Sequence, residues 1–213
     1  MGENIRSRNL NGERISIDLD GTLAASIEKA LELINKDLGK SLSIEDIDVY
    51  SVDKSKLHVK NGIDNQTFME YINLAWSRHH SEIKPLADGE LLIKVHSMIP
   101  IDIVTAQPIA LRDYTLSWLK VSYPKINLKL VNVENTSSKV NTGHSRYIDD
   151  HPRMAQRIIE ANPETGAHPR PILHLIDTPY TRNAIKAVPG RIELVRDVNH
   201  ALQRIIDDVQ ADD

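Results

Sequence analysis

Arg14-Ile15-Ser16-Ile17-Asp18-Leu19-Asp20-Gly21-Thr22-Leu23 is the stretch on which the reading of the whole chain turns. A short apolar-rich run that ends in two carboxylates and a glycine predicts a buried strand with polar groups at its carboxyl end. Residues two apart on an extended strand face the same side, so Asp18 and Asp20 are expected to flank one small volume. Gly21 lets the backbone turn tightly beside them. One carboxylate can attack phosphorus while the second handles a proton. A hard divalent cation prefers oxygen ligands and would screen the repulsion between these acids and a phosphate dianion. The plainer alternative is an Asx-type turn closing a strand, since Asp-Gly is a common turn pair.

Further short apolar runs follow at Ile101–Thr105, Leu128–Val131, Arg146–Asp150, Ile172–Asp177 and Ile192–Val195. Between them, 86–98, 111–121, 152–161 and 198–209 place apolar residues three or four apart, which predicts helices. Strand and helix alternating in this way predict an α/β fold, a Rossmann-like parallel sheet with helices on both faces. Right-handed crossovers put every strand's carboxyl end on one edge, where such folds place their sites. The runs end in Asp18/Asp20, Thr105, Asp149/Asp150 and Asp177, so acidic groups converge there. Residues 24–84 interrupt the alternation. Helices are expected at 25–38 and 65–80, with an ambiguous polar stretch at 41–62, and the interval reads as a small helical cap inserted after the first strand. The expected organisation is a core domain of 1–23 and 85–213 with a cap of 24–84.

Composition sets bounds on function. The 213 residues suffice for one α/β domain and a small insertion, and a hydrophobic fraction of 40% is in the globular range. A net charge of −4, with no basic run, argues against a nucleic-acid polymer or a membrane as partner. There is no cysteine, which excludes disulfides, thiolate catalysis and Cys-ligated zinc. The polar start of the chain lacks the apolar stretch of a signal peptide, and no run of about 18 apolar residues occurs. A cytoplasmic protein is expected.

Taken together, the strand ends resemble the haloacid dehalogenase (HAD) superfamily. Its first motif, Asp-x-Asp-x-Thr after a buried strand, is matched by Asp18-Leu19-Asp20-Gly21-Thr22, and its second, a Thr or Ser after an apolar strand, by Val104-Thr105-Ala106. Its third is a Lys before the fourth, an acidic pair closing a later strand; Lys139 and Asp149-Asp150 stand in that order, with Lys125 and Lys129 further away. The resemblance covers essentially the whole chain. It implies a phosphohydrolase in which Asp18 is the nucleophile that forms an aspartyl-phosphate and Asp20 the acid/base. Thr105 and Lys139 would bind phosphoryl oxygens, with Asp20, Gly21 and Ala106 also at the phosphate. It implies Mg2+ held by Asp18, Asp150, the main-chain carbonyl of Asp20, and Asp149 directly or through a water. Phosphatases of the superfamily carry the second aspartate and dehalogenases do not, so Asp20 implies a phosphate ester as substrate.

Peripheral features resemble the 5′(3′)-deoxyribonucleotidase branch of the superfamily. They are Lys84-Pro85-Leu86-Ala87-Asp88-Gly89, Thr105-Ala106-Gln107-Pro108, Thr115-x-x-Trp118-Leu119, Leu175-Ile176-Asp177-Thr178-Pro179-Tyr180-Thr181, and a small helical cap. The chain departs from the branch at Thr22 (commonly Val), Gln107 (frequently Arg) and Thr181 (usually Asn), which bears on the substrate more than on the chemistry. The expected partner is therefore a small phosphate ester, a nucleotide by preference, and the reading leaves room for a homodimer. A sugar phosphate or other metabolite phosphate, or a non-catalytic protein of the same fold, are the competing readings.

The insertion adds one clue of its own. Phe68, Tyr71, Ile72, Ala75 and Trp76 recur at helical spacing and form a face that packs the cap, unless a ring turns into the cleft to stack on a nucleobase. Tyr71, Trp76 and Gln107 are the candidate substrate contacts. Adjacent His79 and His80 point about 100° apart on a helix, so with His58 they make a poor metal site. His151 either borders the site or caps the next helix, and Arg78 and Arg182 read as solvated.

Overall fold

The computed structural model describes residues 12–160, 171–182 and 187–211. Six strands form one parallel sheet: β1 (Ile15–Ile17), β2 (Ile101–Thr105), β3 (Lys129–Asn132), β4 (Arg146–Asp149), β5 (Ile172–Ile176) and β6 (Ile192–Val195), in the order β3-β2-β1-β4-β5-β6. β1 and β2 are buried throughout, as is β4, as befits a parallel sheet covered on both faces. Around the sheet are α1 (Ser26–Leu38), α2 (Lys56–Asn61), α3 (Asn65–His79), α4 (Gly89–Met98), α5 (Arg112–Ser122), α6 (Pro152–Glu160) and α7 (Val198–Ala211). The expected α6 terminus at Ala161 lies outside the described residues.

The sheet separates two cores. Tyr147, Leu173, Leu175 and Ile192 meet Met154, Ala155 and Ile158 of α6 on one face. Ile15, Ile17, Ile101, Ile103 and Ile148 belong to the larger core on the other face, which includes α4, α7 and the inserted helices. Alternate residues of one strand thus feed opposite faces, as Tyr147 and Ile148 do. Helices cover both faces, the architecture read from the alternation of strands and helices.

The strand order fixes where a site can form. The chain runs β1 to β2 to β3 in one direction, then crosses to β4 and continues to β6 in the other, so the order reverses between β1 and β4. At such a reversal the connections leave in opposite directions and open a crevice at the strands' carboxyl ends. Asp18, Asp149 and Asp150 sit at that edge.

Residues 26–82 hold α1, α2, α3 and short 3-10 turns at Ile44–Asp46, Val52–Lys54 and His80–Glu82. The ambiguous 41–62 stretch is thus two of these turns and the six residues of α2. The chain leaves and rejoins the sheet side by side, Ala25 N donating to Lys84 O (2.9 Å) and Leu86 N to Leu23 O (2.9 Å). Asp64 and Asp88 cap α3 and α4 by accepting from Thr67 N and Leu91 N, which starts α4 at Gly89 instead of the expected Leu86. No helix among the described residues is long and apolar enough to cross a membrane.

Candidate active site

β1 is shorter than its sequence suggests, and this changes how the two aspartates meet. The strand ends at Ile17, with Asp18 N still donating to Ile148 O (2.9 Å) of the neighbouring strand. The chain then turns: Leu23 N and Ala24 N both donate to Leu19 O, and Gly21 takes φ +74°. Strand alternation therefore does not bring Asp18 and Asp20 to one side; a glycine-dependent turn does. A Cβ at position 21 would lie 2.4 Å from Asp150 Oδ2, so both the left-handed φ and the approach of Asp150 require glycine. The Gly21 N–H, expected at the phosphate, is occupied by Ala24 O at 2.9 Å.

Lys139 lies at the centre. It comes from the 3-10 turn Thr136–Thr142, whose first residues are capped by Asn135, and it is almost fully buried. Its Nζ is 2.7 Å from Asp18 Oδ1 and 2.8 Å from Asp149 Oδ2. Burial opposes its charge, but Asp149 and Asp18 outweigh burial and hold its pKa above the ordinary lysine value. Lys125 instead pairs with Glu90 on the surface, and Lys129 starts β3. Asp149 also accepts from His151 N (2.8 Å), and Asp150 Oδ2 accepts a short hydrogen bond from the Tyr180 hydroxyl. Burial raises both carboxyls above the usual aspartate range, and the charge of Asp18 adds to this.

One oxygen each of Asp18, Asp149 and Asp150 lies within 4.8 Å of the others, the one group of metal-ligating side chains of this kind among the described residues. The donors are all carboxylate oxygens, and the single ammonium of Lys139 leaves two negative charges in excess. A hard divalent cation of the magnesium type fits that donor set and charge. Soft or nitrogen-preferring metals do not. His79 instead pairs with Glu82 (2.9 Å).

Asp20 is half-buried and sits in a different environment. It accepts from Ser26 Oγ (2.5 Å), Trp76 Nε1 (2.7 Å) and Gln107 Nε2 (2.9 and 3.1 Å). Burial raises its pKa; the bonds from Ser26, Trp76 and Gln107 pull the other way without cancelling that rise. Thr105 is buried at the end of β2, its Oγ1 accepting from Gln107 N (3.1 Å), which leaves its own proton to donate.

These groups form the floor of a cavity of about 220 Å³, smaller than the usual site for a drug-sized ligand. Asp18, Asp20, Thr105, Ala106, Gln107, Lys139 and Asp150 all line it. The inserted segment supplies the roof, chiefly Ile47, Tyr50, Val52, Phe68, Met69 and Ile72. Lys139 is the one lysine or arginine among the lining residues. Two candidates from the cap helix fall elsewhere. Tyr71 does not line the cavity, and its hydroxyl donates to Asp37 on α1 (3.3 Å). Trp76 is fully buried and offers no face for stacking; it reaches the site through its indole N–H.

Sequence reasoning missed Tyr50 and the role of Tyr180. Tyr50 stacks on the His151 ring, with centroids 3.7 Å apart, and His151 also accepts from Arg153 N (3.0 Å) at the start of α6. Both expectations for His151 therefore hold. Burial and the charge of Lys139 depress its pKa to about 3, so it is neutral. Thr181 closes the turn before it, its hydroxyl donating to Ile176 O (2.7 Å). Arg182 pairs with Asp177 (3.1 Å).

No protein-family model and no curated protein matches the sequence. Solved structures do match in fold. A hydrolase from Pseudomonas syringae is 15% identical with a TM-score of 0.54, the match covering 92% of this chain and 98% of that one. A HAD hydrolase of family IA, variant 3, from Entamoeba histolytica is 15% identical at 0.55, covering 93% and 99%. A HAD-hydrolase of Bacillus subtilis bound to magnesium is 14% identical at 0.51, covering 92% and 98%. The fold is thus the HAD-like α/β fold.

Proposed function

We propose that this chain is a magnesium-dependent phosphomonoesterase that works through an aspartyl-phosphate on Asp18, with a (deoxy)nucleoside monophosphate as substrate. The observation that carries the reading is the joint placement of Asp18, Asp20, Thr105, Lys139 and Asp150 on the floor of one cavity, with Asp149 paired to Lys139. Residues 1–23 and 85–213 act as the core and 24–84 as the cap that roofs it.

Asp18 attacks phosphorus, and the ester P–O bond breaks. Asp20, whose raised pKa favours the protonated form, gives its proton to the leaving oxygen. It then takes a proton from the water that hydrolyses the acyl-phosphate, releasing orthophosphate and restoring Asp18. Lys139 and the Thr105 hydroxyl hold phosphoryl oxygens throughout, and Ala106 lies beside them. Asp18, Asp150, the Asp20 carbonyl and Asp149, directly or through a water, would hold magnesium, which would supply charge neutralisation for the phosphoryl oxygens. The Bacillus subtilis neighbour, bound to magnesium, supports that choice of ion.

Two features of the roof support the nucleotide. Phe68 and Tyr50 offer rings, and Asn73, with Thr136 of the core turn below it, offers amide and hydroxyl groups for a polar base edge or a sugar. With Lys139 the one lysine or arginine there, a second phosphate would go without a charge partner, which favours monophosphates. Phosphate release should be measured with magnesium from nucleoside monophosphates, nucleoside diphosphates and ribose 5-phosphate. Monophosphates are expected to lead by roughly ten- to a hundred-fold, the value of one stacked base. Equal turnover of ribose 5-phosphate would refute the nucleotide preference.

A further inference from the structure

Asp20 is held unequally by its two oxygens. Oδ1 accepts three hydrogen bonds, from Ser26 Oγ (2.5 Å), Trp76 Nε1 (2.7 Å) and Gln107 Nε2 (3.1 Å). Oδ2 accepts from Gln107 alone among the described residues, at 2.9 Å. An oxygen surrounded by donors is a poor place for a proton, because protonation would set an O–H against N–H and O–H groups already pointing at it. The acid proton therefore belongs on Oδ2.

The donors come from different parts of the molecule. Ser26 opens α1, and Gln107 follows β2, its amide turned by the Thr115 hydroxyl bonding to Oε1 (2.9 Å). Trp76 comes from α3, which like α1 belongs to the inserted segment. Its ring is clamped edge-to-face by Trp118 of α5 at 5.6 Å between centroids, and Trp118 Nε1 donates to Ile83 O (2.8 Å). Fully buried and packed against a tethered Trp118, the Trp76 ring has little freedom, so its N–H arrives at a defined point.

We propose that Trp76 is a positioning residue for Asp20: its indole N–H pins Oδ1, so that Oδ2 carries the proton to the leaving oxygen. The cap thereby sets the geometry of the acid as well as roofing the cavity. This rests on the phosphatase reading. In the first step the Oδ2–H bond breaks as the ester P–O bond breaks, and the bond electrons of P–O stay on the leaving oxygen, which takes the proton. Asp20 is left as a carboxylate, and the three donors at Oδ1 stabilise that anion.

The test uses two substrates that differ in their need for a proton. p-Nitrophenyl phosphate releases a stabilised anion, whereas a nucleoside monophosphate releases an alkoxide that must be protonated. kcat/KM reports the steps through departure of the leaving group. Trp76→Phe keeps the ring and removes the N–H; kcat/KM for the nucleotide is expected to fall roughly ten- to a hundred-fold and that for p-nitrophenyl phosphate by less than about threefold. Ser26→Ala removes another Oδ1 donor with the loss of a single hydroxyl, and should show the same selective loss. It carries the test if Trp76→Phe does not fold. Equal losses on both esters, or no loss on either, would overturn the positioning role while wild-type activity left the phosphatase reading intact. A wild type inactive on both esters would overturn both together.

Discussion

At the floor of the cavity, Lys139 stands 2.7 Å from Asp18 and 2.8 Å from Asp149, and Asp150 is held by Tyr180, all of them buried. At its roof, Val52, Phe68, Met69 and Ile72 present carbon surfaces with two asparagines among them. The floor carboxylates sit at the ends of β1 and β4, whose positions are set by the β-ladder, and Lys139 and Tyr180 hold them from neighbouring turns. The roof is a packed helical surface in which one apolar group can stand in for another. Such a division puts the chemistry where displacement is costly and the selectivity where substitution is cheap. Changes to the floor should abolish turnover, and changes to the roof should redistribute it among substrates.

Apart from the nucleophile itself, the largest effect is expected at Asp150. Asp150→Ala should cost on the order of a thousand-fold in kcat, as a chelator does in the wild type, by removing a carboxylate from the cation site. A variant that kept activity within about tenfold would break the claim that the floor works as a unit. The same carboxylates make the effect of magnesium depend on pH. Burial raises Asp149 to about 6 and Asp150 well above its ordinary value, so in the metal-free protein both keep their protons to higher pH than a free carboxyl does. Groups raised in this way stabilise the fold fully below their unfolded pKa and lose that contribution as pH rises through the folded one. Magnesium competes with those protons. Its gain in thermal midpoint should therefore be small at pH 5 and larger above pH 7, and a gain independent of pH would contradict the assignment.

A smaller loss is expected at Gly21. Gly21→Ala meets both a φ of +74° and Asp150 Oδ2 at 2.4 Å, so it should destabilise by about 1–3 kcal/mol and weaken magnesium binding. Calorimetry with and without the ion measures both, and a neutral substitution would show that the turn is not what positions the acids. The smallest effect belongs to the roof. Phe68→Ala should narrow the preference for nucleotides over ribose 5-phosphate by about tenfold, while Tyr71→Ala leaves the ratio unchanged. The reverse pattern would mean that the base sits on the α1 side of α3.

How much of this could be read beforehand follows the same line. The strands announce themselves because both faces are buried, and the acids announce themselves because they end those strands. Lys139 was reached through motif order alone, since nothing in its own neighbourhood of Thr136–Thr142 marks it as buried. The roof was far less legible. Phe68 and Tyr71 share a helical stripe three residues apart, and periodicity cannot say that one faces the cavity while the other reaches Asp37. For Trp76 the sequence leaves cap packing and base stacking both open, because it shows the ring and hides its burial. Tyr50 lies in a polar stretch without period, so no local signal pointed to it. Tyr180 lies in a recognised segment, but its bond to Asp150 depends on how the β5 end approaches β4, a tertiary fact.

The nucleophile offers the most direct test of the central claim. Phosphate release should be followed for wild type and Asp18→Asn in parallel, with magnesium, on the best nucleotide found. Asn keeps the size of Asp18 and removes the attacking anion, so the fold should survive and turnover should fall by several orders of magnitude. A folded Asp18→Asn protein with activity within about tenfold of wild type would contradict the covalent mechanism, and with it the assignment of the site.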